Sequence, residues 1–121
     1  MKVLGLGEVM IQLNPISKGP LRHANVFERH VAGSEANVII GMSRLGFSCR
    51  FLTVVGNDEF GKAVVSTLKS EGVDTKYIKV KEDYPTAVYF VQRGFPVPGR
   101  TEVFYIAKVL HFQHSHLKIL K

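Results

Sequence analysis

The chain has 121 residues, room for one domain or for part of a larger one. Hydrophobic residues make up 45% and charged residues 21%; with Leu, Ile, Val and Phe filling about a third of all positions, it is too apolar to stay unfolded and should bury a core. The formal net charge is +6, but three lysines and no acid fall after residue 105, which leaves the body a small and scattered basic excess and excludes nucleic acid as the expected partner.

Taken in chain order, Lys2-Val3-Leu4-Gly5-Leu6-Gly7 is a short apolar run ending in glycines, which predicts a buried strand that stops at a crowded turn. Val9-Met10-Ile11-Gln12-Leu13 continues it until Asn14-Pro15 breaks the pattern. Residues 21–31 mix polar and apolar side chains, with Val26, Phe27 and Val31 among them, and read as exposed sheet. The period then changes. Ala36, Ile39, Ile40 and Ser43 recur at three and four, so 35–45 is predicted to be helical, with Ser34 as its N-cap and Gly46 as its stop. Residues 51–56 form a continuous apolar strand expected to be covered on both faces. Asp58 can cap a second helix, with Phe60, Val64 and Leu68 facing the sheet and Gly72 ending it. The order strand, helix, strand, helix predicts an α/β fold with right-handed crossovers. Later segments differ: 77–81 alternates with period two, 86–92 and 101–105 are strand-like, and Gly94-Phe95-Pro96-Val97-Pro98-Gly99 suits a rigid hairpin loop. These read as half-exposed sheet with a face that something must cover.

The single cysteine, Cys49, excludes an intramolecular disulfide and a cysteine-based zinc site, and reads as a small buried apolar residue. No stretch approaches the roughly 18 apolar residues of a membrane span, and no leader is evident, so a cytoplasmic chain without a membrane partner is expected. Gly5 and Gly7 open like a dinucleotide fingerprint, but Met10 stands where the third glycine belongs and Glu8 would meet the pyrophosphate. No Walker-type phosphate loop is present. At Val31-Ala32-Gly33-Ser34-Glu35-Ala36-Asn37 a glycine precedes a helix start whose free N–H groups suit an anion or sugar hydroxyls, and Asn37 adds a donor and an acceptor; an ordinary capped helix explains the same string. Val55-Gly56-Asn57-Asp58-Glu59-Phe60-Gly61 reads as a capped strand-to-helix turn. Glu8, Glu28, Glu35, Asp58 and Glu59 lack a nucleophile at recognisable spacing and read as solvated or capping groups.

Together, Gly5-Leu6-Gly7-Glu8, the Gly33-Ser34-Glu35-x-Asn37 segment and the 55–61 string resemble the N-terminal part of a ribokinase-like (pfkB family) sugar kinase. Tyr89-Phe90-Val91-Gln92-Arg93-Gly94 narrows the resemblance to the 2-keto-3-deoxygluconate kinases. It covers residues 1–105, a partial ribokinase-like domain, and implies an α/β sheet domain with a small β-sheet lid over the sugar, the lids pairing between subunits. Strands near 21–31, 77–81, 86–93 and 101–106 would supply much of the lid and its supports. Carried over by position, Gly33, Ser34, Asn37, Tyr89 and Tyr105 match sugar-contacting residues. In the full-length family ATP and Mg serve transfer, through a C-terminal Gly-Ala-Gly-Asp motif that these 121 residues do not contain, so no cofactor is expected to bind this chain alone.

Residues 106–121 depart from the family where Tyr-Arg-Lys-Gly-Ser-Ala is expected. Suitable codons for Phe-Tyr-Tyr-Arg-Lys-Gly-Ser-Ala, after loss of one T, read Phe-Tyr-Ile-Ala-Lys-Val-Leu, the string that follows Val103 here. An out-of-frame tail explains its lack of acids, puts Ala107 where an arginine would meet the sugar acid's carboxylate, and makes His111, His114 and His116 an accidental cluster with no metal expected. The resemblance thus implies a truncated sugar-acid kinase that binds its small sugar acid weakly and associates with itself through lid strands. The alternative is a non-catalytic sugar-binding or self-associating α/β fragment.

Overall fold

The computed structural model describes residues 1–105. The elements are β1 (Lys2–Leu6), β2 (Met10–Pro15), a 3-10 turn (Leu21–His23), β3 (Phe27–Ala32), α1 (Ser34–Arg44), β4 (Ser48–Leu52), β5 (Val54–Gly56), α2 (Glu59–Ser70), β6 (Lys79–Lys81), β7 (Val88–Arg93) and β8 (Thr101–Tyr105). They form two parallel ladders, β1–β4 and β5–β6, and a four-stranded sheet in the order β3-β2-β7-β8, in which β2 and β7 run parallel and both outer pairs antiparallel. The ladders and two helices make the α/β body; the four-stranded sheet stands beside it. Among the described residues no helix is long and apolar enough to cross a membrane.

The body forms because each helix lays one apolar stripe on its strands. Ala36 and Ile39 of α1, Cys49 and Phe51 of β4, Val55 of β5, and Val64 and Leu68 of α2 share one core with Val73, Val9 and Ile11. Gly5 is where α1 comes closest, since any side chain there would run into Ile39 and Phe51. Both helices end in the six-to-one and five-to-two bonds that a glycine beyond the last turn permits: Phe47 N–H to Met42 O at 3.2 Å with Gly46 N–H to Ser43 O at 3.0 Å, and Val73 N–H to Leu68 O at 3.0 Å with Gly72 N–H to Lys69 O at 2.9 Å. The two stops expected at Gly46 and Gly72 are therefore where the helices end.

Other expectations need correction. Ser34 is not the N-cap of α1: that position is Gly33, at φ 147°, and the Ser34 hydroxyl donates instead to Glu35 Oε2 at 3.1 Å. A Cβ on Gly33 would sit 2.5 Å from the Glu8 carbonyl oxygen, so only glycine can make this turn, and the cap falls one residue early. Phe60 does not face the sheet. It is 38% exposed, because Gly61, Val64 and Leu68 form the buried stripe and Phe60 lies about 100° away from Gly61 around the helix. The apolar run 51–56 is not one strand: β4 pairs with β1, β5 with β6, and at Thr53 between them the carbonyl accepts from Lys79 N–H at 2.9 Å.

β1 is not buried on both sides. Val3 and Gly5 face α1, whereas Leu4 and Leu6 are 64% and 44% exposed. Pro15 ends β2 in register with Phe27 instead of breaking it earlier. Residues 21–26 are not strand, since the N–H groups of His23 and Ala24 bond locally to Pro20 and Leu21. Tyr77 and Ile78 precede β6, with Ile78 N–H closing a turn on Thr75 O at 3.1 Å. The 94–99 loop is a hairpin between β7 and β8, with Gly94 at φ 73° and Gly99 at φ 78°.

Candidate functional site

β2 carries one polar side chain between two apolar ones. Ile11 is fully buried and Leu13 leans on the core, so the alternation of a strand puts Gln12 on the opposite face of the sheet. There Gln12 is opposite His30 on β3 and Tyr89 on β7, and Tyr89 is opposite Tyr105 on β8. His30, Gln12, Tyr89 and Tyr105 thus hold one row across the four strands. The Tyr89 hydroxyl donates to Gln12 Oε1 at 2.8 Å, and Gln12 Nε2 donates to Asn14 Oδ1 at 2.7 Å. Both ends of the Gln12 amide are engaged, which fixes the direction of the Tyr89 ring. Gln12 was missed in the sequence; its signal is an amide set between the apolar Ile11 and Leu13.

Two residues along from this row, about 7 Å on a strand, Met10 pairs with Ala32, and the next residue is Gly33. The start of α1, with exposed Ser34 and the Asn37 N–H bonded to Gly33 O at 2.9 Å, therefore adjoins the end of the row. Asn37 itself opens onto a cleft of about 500 Å³ shared with Arg29, His30, Arg44, Thr67 and Glu71. Tyr89 does not line that cleft. Within it Arg44 grips Glu71 by two bonds, 2.7 and 2.6 Å, which hold the Glu71 carboxyl below its usual range. The fold thus brings Gly33, Ser34, Tyr89 and the backbone of Tyr105 to one end of the sheet and points Asn37 toward a neighbouring cleft. Ala107, His111, His114 and His116 lie outside the described residues.

The acids divide three ways. Glu28, Glu35 and Glu59 are exposed, Glu28 beside His30 at 3.3 Å and Glu59 beside Lys62 at 3.8 Å. Asp58 is the N-cap of α2 as expected, its Oδ1 accepting from Gly61 N–H at 2.7 Å. It does more. Burial alone would raise its pKa, but bonds from the Thr86 N–H and hydroxyl, with those from Gly61 and Phe60 N–H, outweigh burial and lower it. Glu8 departs from the solvated role expected for it. Its Oε1 is buried with no hydrogen-bond partner, and burial first, then the nearby Glu35 charge, raises its pKa. Cys49 is 3% exposed and acts as a core residue, as its solitary position suggests.

An α/β body with a small β-sheet beside it is the arrangement that the resemblance implies. A sequence profile of the pfkB family carbohydrate kinases matches residues 1–117. The chain belongs to the pfkB family of carbohydrate kinases. Over 108 residues it is 48% identical to the 2-dehydro-3-deoxygluconokinase of Thermoproteus tenax, covering 89% of this chain and 33% of that enzyme. Over 83 residues it is 40% identical to the 5-dehydro-2-deoxygluconokinase of Clostridium botulinum, covering 68% and 24%. The crystal structure of a sugar kinase from Pyrococcus horikoshii matches with a TM-score of 0.79 at 33% identity, over 88% of this chain and 34% of that one, and the same kinase has been solved in complex with ATP. This family member has the ribokinase-like α/β fold and spans a quarter to a third of the length of these relatives.

Proposed function

We propose that these residues are the sugar-recognising part of an ATP-dependent kinase for 2-keto-3-deoxygluconate, the compound also called 2-dehydro-3-deoxygluconate, or a close relation. One juxtaposition carries the reading: the Tyr89 hydroxyl is fixed on Gln12 in a sheet whose end runs into Gly33 and the start of α1. Neutral amide and hydroxyl groups suit sugar hydroxyls, and the positive end of a helix suits a carboxylate or keto oxygen. Gly33, Ser34, Asn37, Tyr89 and Tyr105 are the proposed contacts, with Gln12 added. The Thermoproteus tenax relative supports the substrate class, and the Clostridium botulinum relative makes 5-dehydro-2-deoxygluconate the competitor to test.

ATP and Mg belong to the whole kinase. Among the described residues no three His, Cys, Asp or Glu gather to hold a metal ion, and the 121 residues contain no Gly-Ala-Gly-Asp string. We assign these residues no part in holding the phosphate donor. What they do is bind the acceptor, orient its hydroxyls and shield one side of it from water, which is the positioning share of phosphoryl transfer.

Titration of the purified chain with 2-keto-3-deoxygluconate, its 5-keto-2-deoxy isomer and gluconate tests the reading. Weak binding that favours the first and is weakened further by Tyr89→Phe is expected, with no sugar-dependent ATP turnover above a no-enzyme control. Equal response to all three acids removes the substrate assignment, and turnover that co-purifies with the 121-residue species overturns the division of labour. If the tail is out of frame, the encoding DNA past codon 105 carries the family sequence in another frame. Restoring that frame, with arginine at position 107 and the downstream segment, should then tighten binding about ten- to a hundredfold, the value of a bond to a charged group.

A further inference from the structure

Thr86 is 3% exposed and lies three residues before Tyr89, just ahead of β7. Its N–H and hydroxyl are both engaged by the β5–α2 turn. Thr86 N–H donates to Asp58 Oδ2 at 2.8 Å, its hydroxyl donates to Asp58 Oδ1 at 2.7 Å, and the same hydroxyl accepts from Gly56 N–H at 3.0 Å. The close approach requires two glycines. A Cβ on Gly56 would meet the Tyr84 carbonyl and lie 2.6 Å from Asp58 Oδ2, and one on Gly61 would meet the Gly56 carbonyl. One carboxylate therefore starts a helix of the body and holds the chain that enters the neighbouring sheet. Immediately afterwards Ala87 O accepts from Ile11 N–H at 2.9 Å, and the parallel register Ile11 to Val88 and Gln12 to Tyr89 begins.

Register matters here more than distance, because side chains alternate across a strand and a slip of one residue moves each of them to the other face. Only three residue pairs join β2 to β7, so little within that ladder resists a slip. We propose that Asp58, through Thr86, is a positioning residue that sets the register of β7 and thereby places the Tyr89 hydroxyl on Gln12; that this placement serves sugar recognition rests on the function proposed above. An N-cap alone needs one carboxylate oxygen and one N–H. The second oxygen, the buried threonine and the two glycines exceed that need, and all of them point at the entry to β7.

Asp58→Asn separates the two duties, since asparagine caps a helix as well as aspartate does but sets an NH2 group against the Thr86 N–H. Thr86→Val keeps the shape and removes the hydroxyl, and Thr86→Ser keeps both of its bonds. Amide hydrogen exchange in the 121-residue chain reads the result. In Asp58→Asn and Thr86→Val, the Ile11 amide and the β7 amides should exchange about ten- to a hundredfold faster, the β1–β4 amides should hold their protection, and Thr86→Ser should behave as the parent. If Asp58→Asn does not fold, Thr86→Val against Thr86→Ser makes the same comparison. Unchanged exchange at Ile11 and β7, or an equal rise across β1–β4, overturns the proposal. Titration with 2-keto-3-deoxygluconate on the same samples keeps the two readings apart: loss of exchange protection in Asp58→Asn and Thr86→Val, with a parent chain that ignores the sugar, leaves the positioning role standing and removes the sugar.

Discussion

Glu8 and Asp58 are both partly buried carboxyls in turns that follow strands, and their surroundings move them in opposite directions. Asp58 has donors on both oxygens; Glu8 has a buried Oε1 that none reaches. A carboxyl with a raised folded pKa binds more protons in the native than in the unfolded state, so its effect on stability is least harmful below the unfolded value of about 4.3 and worsens as pH rises through the folded one. Glu8→Gln should therefore raise stability at pH 7, with the gain shrinking toward pH 4. Urea denaturation at the two pH values measures it, and a loss at pH 7 would mean that the Glu8 charge has a partner. For Asp58 the sign is reversed: its contribution is present above the unfolded value of about 3.9 and fades as pH falls through the lowered folded one. The cap at Asp58 was legible from its own neighbours, Glu59 to Gly61. Its bond to Thr86, 28 residues away, was not, because no local pattern records which loop a carboxylate will meet. Tyr89 was singled out by resemblance alone, whereas its bond to Gln12 became visible only when the register set the two side by side.

Among the elements, the helices were easier to read than the strands. A helix declares its buried face through its own spacing and its end through a glycine, and Val64, Leu68, Gly46 and Gly72 all behaved accordingly. Phe60 fits the same spacing and is nevertheless half outside, since Gly61 takes the place against β5. Leu68→Ala should consequently cost about 2–5 kcal/mol, and Phe60→Ala less than about half of that, when both are compared by chemical denaturation. An equal cost would place Phe60 in the core. Strands depend on partners encoded elsewhere. Residues 51–56 look continuous because their composition does not change at Thr53, yet the ladder changes from β1 to β6 there. The apolar run of β1 reads as a buried strand, but α1 covers only the side of Val3 and Gly5.

At the scale of the whole molecule, that uncovered side is the main liability. Parallel sheets ordinarily carry helices on both faces, and here Leu4, Leu6 and Leu52 line an open apolar surface rimmed by Lys2, Arg50 and Asp74. Val103 and Phe104 on the edge strand β8 are each 44% exposed as well. The chain should thus be a dimer or larger species in solution, and Leu4→Lys should lower its mass at a given concentration. Light scattering over a dilution series decides it, and a monomer with a cooperative melt would show that the two surfaces are tolerated in water. The topology of the four-stranded sheet has a further effect, on time. Gln12 and Tyr89 are 77 residues apart, and most of the body lies between them, whereas β2–β3 and β7–β8 join near neighbours in sequence. Closing so long a loop costs entropy before it gains contacts, so two local hairpins and the α/β body can form early and wait for each other. The parallel seam between β2 and β7 should then be the late step of folding, and the row that holds Tyr89 should form only as that seam closes.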